Sequence, residues 1–104
     1  MNKYVFAYYG EPHFNNPEEG QKHMAEWSTW MKGLGSSVVD RGVPLKATKM
    51  VSSKDVKDGI GSNRLTGYSV VLAKSIEEAV EMAKTSPHLN FGTIEVGEVM
   101  EMKM

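Results

Sequence analysis

The chain lacks cysteine altogether, which excludes a disulfide framework, a thiolate nucleophile and a Cys-ligated metal site. Long apolar runs are also missing, since no segment approaches the roughly 20 apolar residues that cross a bilayer. Neither sign of charge dominates, because 12 Lys and Arg face 13 Asp and Glu for a net charge of −1. A broad nucleic-acid surface needs a basic excess, so nucleic acid is not an expected partner.

What is present is typical of a small globular protein. The 104 residues are 40% apolar and 24% charged, which fits a single domain over residues 1–104 with a radius of gyration of about 13 Å. The apolar run Tyr4 to Tyr9 is shorter than a signal peptide requires and ends in a turn at Gly10. We therefore expect a cytoplasmic protein with no membrane association.

The order of predicted elements indicates the fold. Capping residues Asn16 and Ser75 each precede a helix, and glutamates in both first turns complete capping boxes. Strands are predicted around 4–9, 36–41, 66–73 and 92–98, whereas 46–51 alternates weakly and 52–63 reads as a loop or hairpin tip. The resulting β-α-β-β-α-β order is typical of an α+β, ferredoxin-like sandwich with helices on one face of an antiparallel sheet.

Apolar spacing predicts which helix faces are buried. The first helix has an apolar stripe with Trp30 on its flank, and the second has a shorter one. The predicted stripes are Met24, Trp27, Met31 and Leu34 in the first helix, and Ile76, Ala79, Val80 and Ala83 in the second.

The sheet has a second face that also needs cover. Both parities of the first strand are apolar, and Met100, Met102 and Met104 alternate with polar residues after the last strand. This pattern favours a homodimer packed sheet on sheet, with the methionines sealing the interface. The alternative is a frayed C-terminal tail.

An ordered set of short motifs resembles the YCII-related proteins, including the branch named for its DGPF motif. The matching pieces are Lys3-Tyr4-Val5, Tyr9-Gly10, Pro17-Glu18-Glu19, Trp27, Trp30, Gly35, Gly67-Tyr68, Glu77-Glu78-Ala79, Pro87, Gly92 to Val96, and Val99-Met100-Glu101. The resemblance implies a dimeric α+β barrel, and some relatives look like small-molecule enzymes with a His–Asp pair in a cleft. The DGPF position holds Asp58-Gly59-Ile60-Gly61, and the first-helix histidine position falls on Met24, next to His23.

Three residues are candidates for proton transfer. His23 is the candidate acid/base because an unperturbed imidazole titrates near neutral pH. Asp40 would orient His23, and Tyr8 is a further candidate proton donor. The alternatives are that His23 faces solvent and that Asp40 serves a strand-end turn or a local ion pair.

Aromatic side chains could wall a small-ligand pocket, since such pockets combine aromatic surface with a few polar groups. The candidates for ligand binding are Trp27, Trp30, Tyr68 and Asp58, although core packing also explains a tryptophan. The three histidines have no metal-binding spacing, and the glycines at 59 and 61 lack the rest of a dinucleotide fingerprint. No metal or cofactor is therefore expected.

Two functions remain open at this stage. The first is a cofactor-independent lyase or isomerase that uses His23, Asp40 and Tyr8 on a small molecule. The second is a non-catalytic dimeric module that binds a small ligand or a protein partner.

Overall fold

The computed structural model describes residues 1–101. It contains β1 (Asn2–Tyr9), α1 (Pro17–Leu34), β2 (Val38–Asp40), β3 (Lys49–Val51), β4 (Val56–Asp58), β5 (Leu65–Ala73), α2 (Ile76–Ala83) and β6 (Thr93–Glu98). Short 3-10 turns occupy Gly35–Ser37, Gly61–Asn63 and Pro87–Asn90. Four strands form one antiparallel sheet in the order β2-β5-β1-β6. This α+β arrangement of two helices and antiparallel strands is consistent with the predicted ferredoxin-like fold.

The two faces of the sheet differ in burial. On β1 the side chains of Tyr4, Phe6 and Tyr8 are buried under the helices, whereas Val5 and Ala7 point to the other face and are half-buried. The same alternation runs along β5, whose Ser69, Val71 and Ala73 are buried. We call the first side the helix face and the second the open face. The open face is apolar, as the sequence predicts, yet no element of residues 1–101 fully covers it.

Helix α1 begins at the predicted cap and turns most of the predicted stripe toward the core, since Met31 is buried and Trp27 and Leu34 pack against the core half-buried. The Asn16 side chain accepts from the Glu19 N–H at 2.9 Å, and Gly35 ends the helix with a φ of 57°. Trp30 and Met31 are the buried residues of α1. The predicted stripe is wrong at Met24, which is 63% exposed. Met24 lies on the same side of α1 as Met31 but two turns nearer the N-terminus, where the described residues leave it uncovered.

Helix α2 is also capped as predicted, since Ser75 accepts from the Glu78 N–H at 3.1 Å. Its buried side is narrower than expected, because the structure buries Ala79 and Ala83 but leaves Ile76 and Val80 exposed. Small side chains at the contact let this two-turn helix lie close to the sheet.

The segment after β2 departs most from the prediction. The weak pattern at 46–51 and the polar stretch after it pair as a separate hairpin, β3 with β4, whose six residues are all exposed. The radius of gyration is 14.9 Å, against about 13 Å for a compact chain of this length. The chain is thus flat, at 40 × 40 × 19 Å, with an arm outside the main sheet.

The chain continues past β6 along β1, since the Val99 N–H donates to the Lys3 carbonyl at 2.9 Å. Met100 is largely exposed, and the predicted positions of Met102 and Met104 lie outside the described residues. Within residues 1–101, no helix is both long enough and apolar enough to cross a membrane.

Candidate functional site

Three aromatic rings form a cluster on the helix face, where β1 ends. The Tyr8 ring meets Trp27 edge-on at 4.9 Å between centroids, and Trp27 meets Trp30 at 5.2 Å. The two tryptophans stand three positions apart on α1, so both side chains face the sheet. Trp30 is buried, and its indole N–H lies 3.0 Å from the Thr85 Oγ1, so it serves the core. Trp27 is half-buried and reaches the surface.

His23 lies one turn before Trp27 and is surrounded by aromatic rings. Its centroid is 4.9 Å from that of Phe91, 5.5 Å from that of Phe14 and 6.5 Å from that of Trp27. Phe14 belongs to the loop before α1, and Phe91 follows the 3-10 turn before β6. His23 is half-buried rather than fully exposed to solvent. We call His23, Phe14, Trp27 and Phe91 the imidazole box.

The surroundings favour the neutral form of His23. Burial lowers the pKa of the imidazole below its ordinary 6.5, the charge of Glu26 opposes this shift, and His88 adds to it. The pKa shift thus comes from burial and neighbouring charge, and no hydrogen bond between His23 and another described residue contributes to it. At neutral pH the box therefore presents a neutral imidazole, with one nitrogen able to accept a proton.

His88 is a buried residue near the imidazole box that was not among the candidates from the sequence. It is 3% exposed, and its Nε2 lies 2.8 Å from the Tyr9 carbonyl, while its ring packs 5.3 Å from that of Tyr8. Ser86 accepts from the His88 N–H and caps the 3-10 turn. The sequence marks the start of this turn by Ser86-Pro87, but that local pattern does not predict that the His88 side chain is buried. The hydrogen bond to the carbonyl gives His88 a structural role.

The Tyr8 hydroxyl is engaged inside the core. It donates to Ser69 Oγ at 2.8 Å, and Ser69 donates in turn to the Arg41 carbonyl at 2.8 Å. Burial raises the pKa of Tyr8 to about 12, although the Ser69 hydrogen bond lowers it. Tyr8 therefore keeps its proton at neutral pH and contributes a wall beside Trp27.

Asp40 and Tyr68 lie away from His23, on the other side of the sheet. Tyr68 pairs with Ala7 across β1 and β5, so its side chain points to the open face and is 37% exposed. The Tyr68 hydroxyl lies 3.4 Å from Asp40 Oδ2, and Asp40 Oδ1 accepts from the Gly42 N–H at 2.8 Å. The structure thus brings Asp40 and Tyr68 to each other and not to His23, Tyr8 or Trp27.

Asp58 lies on the hairpin arm, also away from the imidazole box. Its carboxylate pairs with Lys49, its cross-strand neighbour, and the side chain is 66% exposed. It borders a cavity of about 480 Å³ between the hairpin and the turn after β1. The other residues around this cavity are Glu11, Pro12, Lys46, Ala47, Thr48, Lys49, Gly59, Ile60 and Arg64.

A second cavity of about 440 Å³ lies in a groove between α1 and β2. It is lined by Ser28, Met31, Lys32, Gly35, Val38 and Arg41. We call it the α1–β2 groove. No candidate site residue proposed from the sequence lines this groove. The sequence carries only a weak signal for this groove, because the lining residues come from one helix, a three-residue strand and a loop. In the described part of the chain, no three His, Asp or Glu side chains are arranged to hold a metal ion.

With this geometry in hand, comparison with solved structures finds a neighbour for the whole chain. The 5-chloro-2-hydroxyhydroquinone dehydrochlorinase (TftG) from Burkholderia phenoliruptrix AC1100, in complex with 2,5-dihydroxybenzoquinone, matches at a TM-score of 0.60. The match covers 96% of this chain and 95% of that chain, at 14% sequence identity. The chain therefore shares its fold with that dehydrochlorinase.

The other two comparisons add no name. No family model matches the chain, and no curated protein matches it. At 14% identity the likeness to the dehydrochlorinase concerns the fold, and it carries over neither an activity nor a ligand.

Proposed function

We propose that this protein belongs to the YCII-related family and binds a small, planar, hydroxylated aromatic or quinonoid molecule at the imidazole box. The observation that carries the proposal is the neutral imidazole of His23, set among Phe14, Trp27 and Phe91 without a hydrogen bond contributing to its pKa shift. A desolvated acceptor beside aromatic surface suits a flat ring with an acidic hydroxyl group.

The ligand class follows from what the box supplies. Its rings offer faces and edges for stacking, and His23 is the one group in the box that titrates near neutral pH. A ring hydroxyl acidified by neighbouring carbonyl or hydroxyl groups would donate to His23 and transfer its proton there. The structural neighbour fits this class. Its name refers to a hydroxylated hydroquinone, and the molecule in its complex is a dihydroxylated quinone.

The proposed chemistry is proton transfer by His23 without a cofactor. A neutral imidazole can remove a ring-hydroxyl proton and return it to another atom, which is the step that a lyase or isomerase of this class requires. Asp40 takes no part in this scheme, because its carboxylate is held by the Gly42 N–H on the far side of the sheet. Tyr8 takes part as a wall, because its proton is directed to Ser69.

The proposal includes a homodimer and a cytoplasmic location. Val5, Ala7, Val70 and Leu72 are half-buried apolar side chains on the open face, and Val5 pairs with Val70 at its centre. A second copy packed sheet on sheet would bury this surface and give an eight-stranded barrel. Burial would stabilise the dimer by roughly 25 cal/mol for each square ångström of apolar area removed from water.

One observation favours the second candidate function, a non-catalytic ligand-binding module. Apart from His23, the candidate proton-transfer groups are already engaged: Tyr8 with Ser69, and Asp40 with Gly42. His88, the other histidine near the box, also holds a backbone carbonyl. Without a second free group to orient it, His23 would bind an acidic ring hydroxyl but would not catalyse a reaction of the ligand.

Binding is tested by calorimetry with 2,5-dihydroxybenzoquinone as the probe. We expect saturable binding that His23→Gln weakens about tenfold or more, because a hydrogen bond to a charged group contributes about 1.5–3 kcal/mol. His13→Gln, a change in the exposed loop before α1, is the matched control and should leave the affinity unchanged. No saturable binding, or equal loss in both variants, would overturn the proposal.

Turnover separates the two candidate functions. Chloride release from 5-chloro-2-hydroxyhydroquinone, lost in His23→Gln and kept in His13→Gln, would establish the enzyme. Binding of the quinone without chloride release from this substrate would favour the binding module.

A further inference from the structure

We propose that the α1–β2 groove is a second ligand site, which takes a small monocarboxylate with an apolar tail. The groove has about 440 Å³ of space, within the range of small-molecule pockets. It lies on a different side of α1 from the imidazole box, since the groove residues Ser28 and Lys32 are rotated by roughly 140–180° from His23 around the helix. No residue of the imidazole box lines the groove, so this inference does not rest on the proposed function.

The polar end of the ligand is set by two cations. Lys32 projects from the last turn of α1, and Arg41 follows β2 on the opposite wall. Neither side chain forms an ion pair within residues 1–101, although three other lysines of that region do. Arg41 supplies a planar fork that matches a carboxylate, and Lys32 adds a second positive charge.

The backbone at Arg41 is held in place from beneath. Its carbonyl accepts from the fully buried Ser69 at 2.8 Å, and Ser69 is itself fixed by the Tyr8 hydroxyl. This anchoring keeps the start of the Arg41 side chain at the lip of the groove. The negative pole at the end of α1 opposes an anion there, and Lys32 in the last turn offsets it.

The apolar part of the ligand is set by the floor of the groove. Met31, which is 5% exposed, and the half-buried Val38 form that floor. Met24 continues the same stripe of α1, because 24, 28 and 31 follow i, i+4, i+7 spacing. Its largely exposed side chain extends the apolar surface beyond the groove. A carboxylate at Arg41 thus has room for a short alkyl or aryl tail toward Met24.

The test measures binding of hexanoate to the full chain by amide NMR. We expect saturable shifts at the amides of Ser28, Lys32, Gly35 and Arg41, with hexanamide at least about tenfold weaker because it lacks the charge. Acetate should also bind more weakly than hexanoate, because it has no tail to cover Met31. Shifts centred on the imidazole box, or equal binding of hexanoate and hexanamide, would overturn the proposal.

Variants locate the charge recognition. Arg41→Gln keeps the carbonyl that Ser69 uses, and we expect it to weaken hexanoate binding about tenfold or more. Lys32→Gln should weaken binding by a smaller factor and reduce its salt dependence. Lys22→Gln, an exposed change on the same helix outside the groove, is the control and should bind as the parent does. Parent-like binding by Arg41→Gln, or a loss equal to that in Lys22→Gln, would contradict the assignment.

Two variants separate the proposal for the α1–β2 groove from the proposal for the imidazole box. His23→Gln should leave hexanoate binding unchanged, and Arg41→Gln should leave binding of 2,5-dihydroxybenzoquinone unchanged. A single variant that abolishes both would show one site instead of two and would overturn this inference.

Discussion

The hydroxyl of Tyr8 donates to Ser69 Oγ at 2.8 Å, and through it β1 is tied to the chain that leaves β2. The Ser69 hydroxyl in turn donates a second hydrogen bond to the Arg41 carbonyl, also at 2.8 Å. The wall of the imidazole box and the lip of the α1–β2 groove thus share one buried serine. Because buried polar groups are costly when left unpaired, this connection fixes both surfaces at once.

Removing the serine hydroxyl should cost more than removing the tyrosine hydroxyl. Ser69→Ala leaves both the Tyr8 donor and the Arg41 acceptor without a partner, so we expect a loss of about 1–3 kcal/mol in the free energy of unfolding. Tyr8→Phe leaves the bond from Ser69 to Arg41 intact and should cost about 1 kcal/mol. Urea denaturation of both variants and their double mutant measures the difference; a larger loss for Tyr8→Phe would contradict the connection.

The pH dependence of stability should carry the signature of His23. Its pKa is lower in the folded chain than the ordinary 6.5, so the unfolded chain binds the proton more readily. This stabilising contribution is fully present above about pH 7 and is lost as the pH falls through 6.5 towards the folded pKa.

The measurement compares the parent chain with His23→Gln across this pH range. The parent should lose more stability than the variant on acidification, because Gln does not titrate. His13→Gln serves as the control and should retain the parent's acid loss. Identical pH profiles for the parent and His23→Gln would show that the fold does not disfavour the imidazolium.

Gly42 should be intolerant of any side chain. Its φ is 77°, and a Cβ would lie 1.6 Å from the Tyr68 carbonyl oxygen. We expect Gly42→Ala to cost at least about 1–3 kcal/mol for the backbone alone, with the steric overlap added. Gly61→Ala is the control, since φ is also positive there, at 60°, but no atom lies within contact of its Cβ. Equal thermal unfolding of the two variants would contradict the close approach.

The open face provides the test of self-association. Sedimentation of the parent should give twice the 11.5 kDa chain mass, and Val70→Asp should give a single chain mass, because a carboxylate cannot be buried unpaired between two sheets. Val56→Asp, on the exposed hairpin arm, is the control and should remain dimeric. A parent that sediments as a monomer would refute the dimer.

The elements with strong local signals were predictable from the sequence. Asn16 and Ser75 cap their helices as expected, and β5 follows its apolar run almost residue for residue. These features depend on neighbours in sequence. The hairpin arm was predictable only in part. The stretch 52–63 reads as a loop or hairpin tip, but the two strands of the arm are three residues long and all exposed, so no burial pattern marks their bounds.

The candidate site was predictable residue by residue but not as an arrangement. His23 and Trp27 do lie together, since both face one side of α1. Asp40 could not be placed from the sequence, because the side of a sheet on which a residue falls depends on register, and β2 pairs with β5 through an irregularity. His88 was missed because its burial comes from packing against Tyr8, far away along the chain.

The most direct test of the account follows the His23 ring by NMR during a pH titration, with and without 2,5-dihydroxybenzoquinone. We predict a midpoint below 6.5 in the free protein, and a rise when the acidic quinone binds, because an anion beside the ring favours the imidazolium. A free midpoint at or above 6.5 that the quinone does not move would contradict the proposed role of the imidazole box.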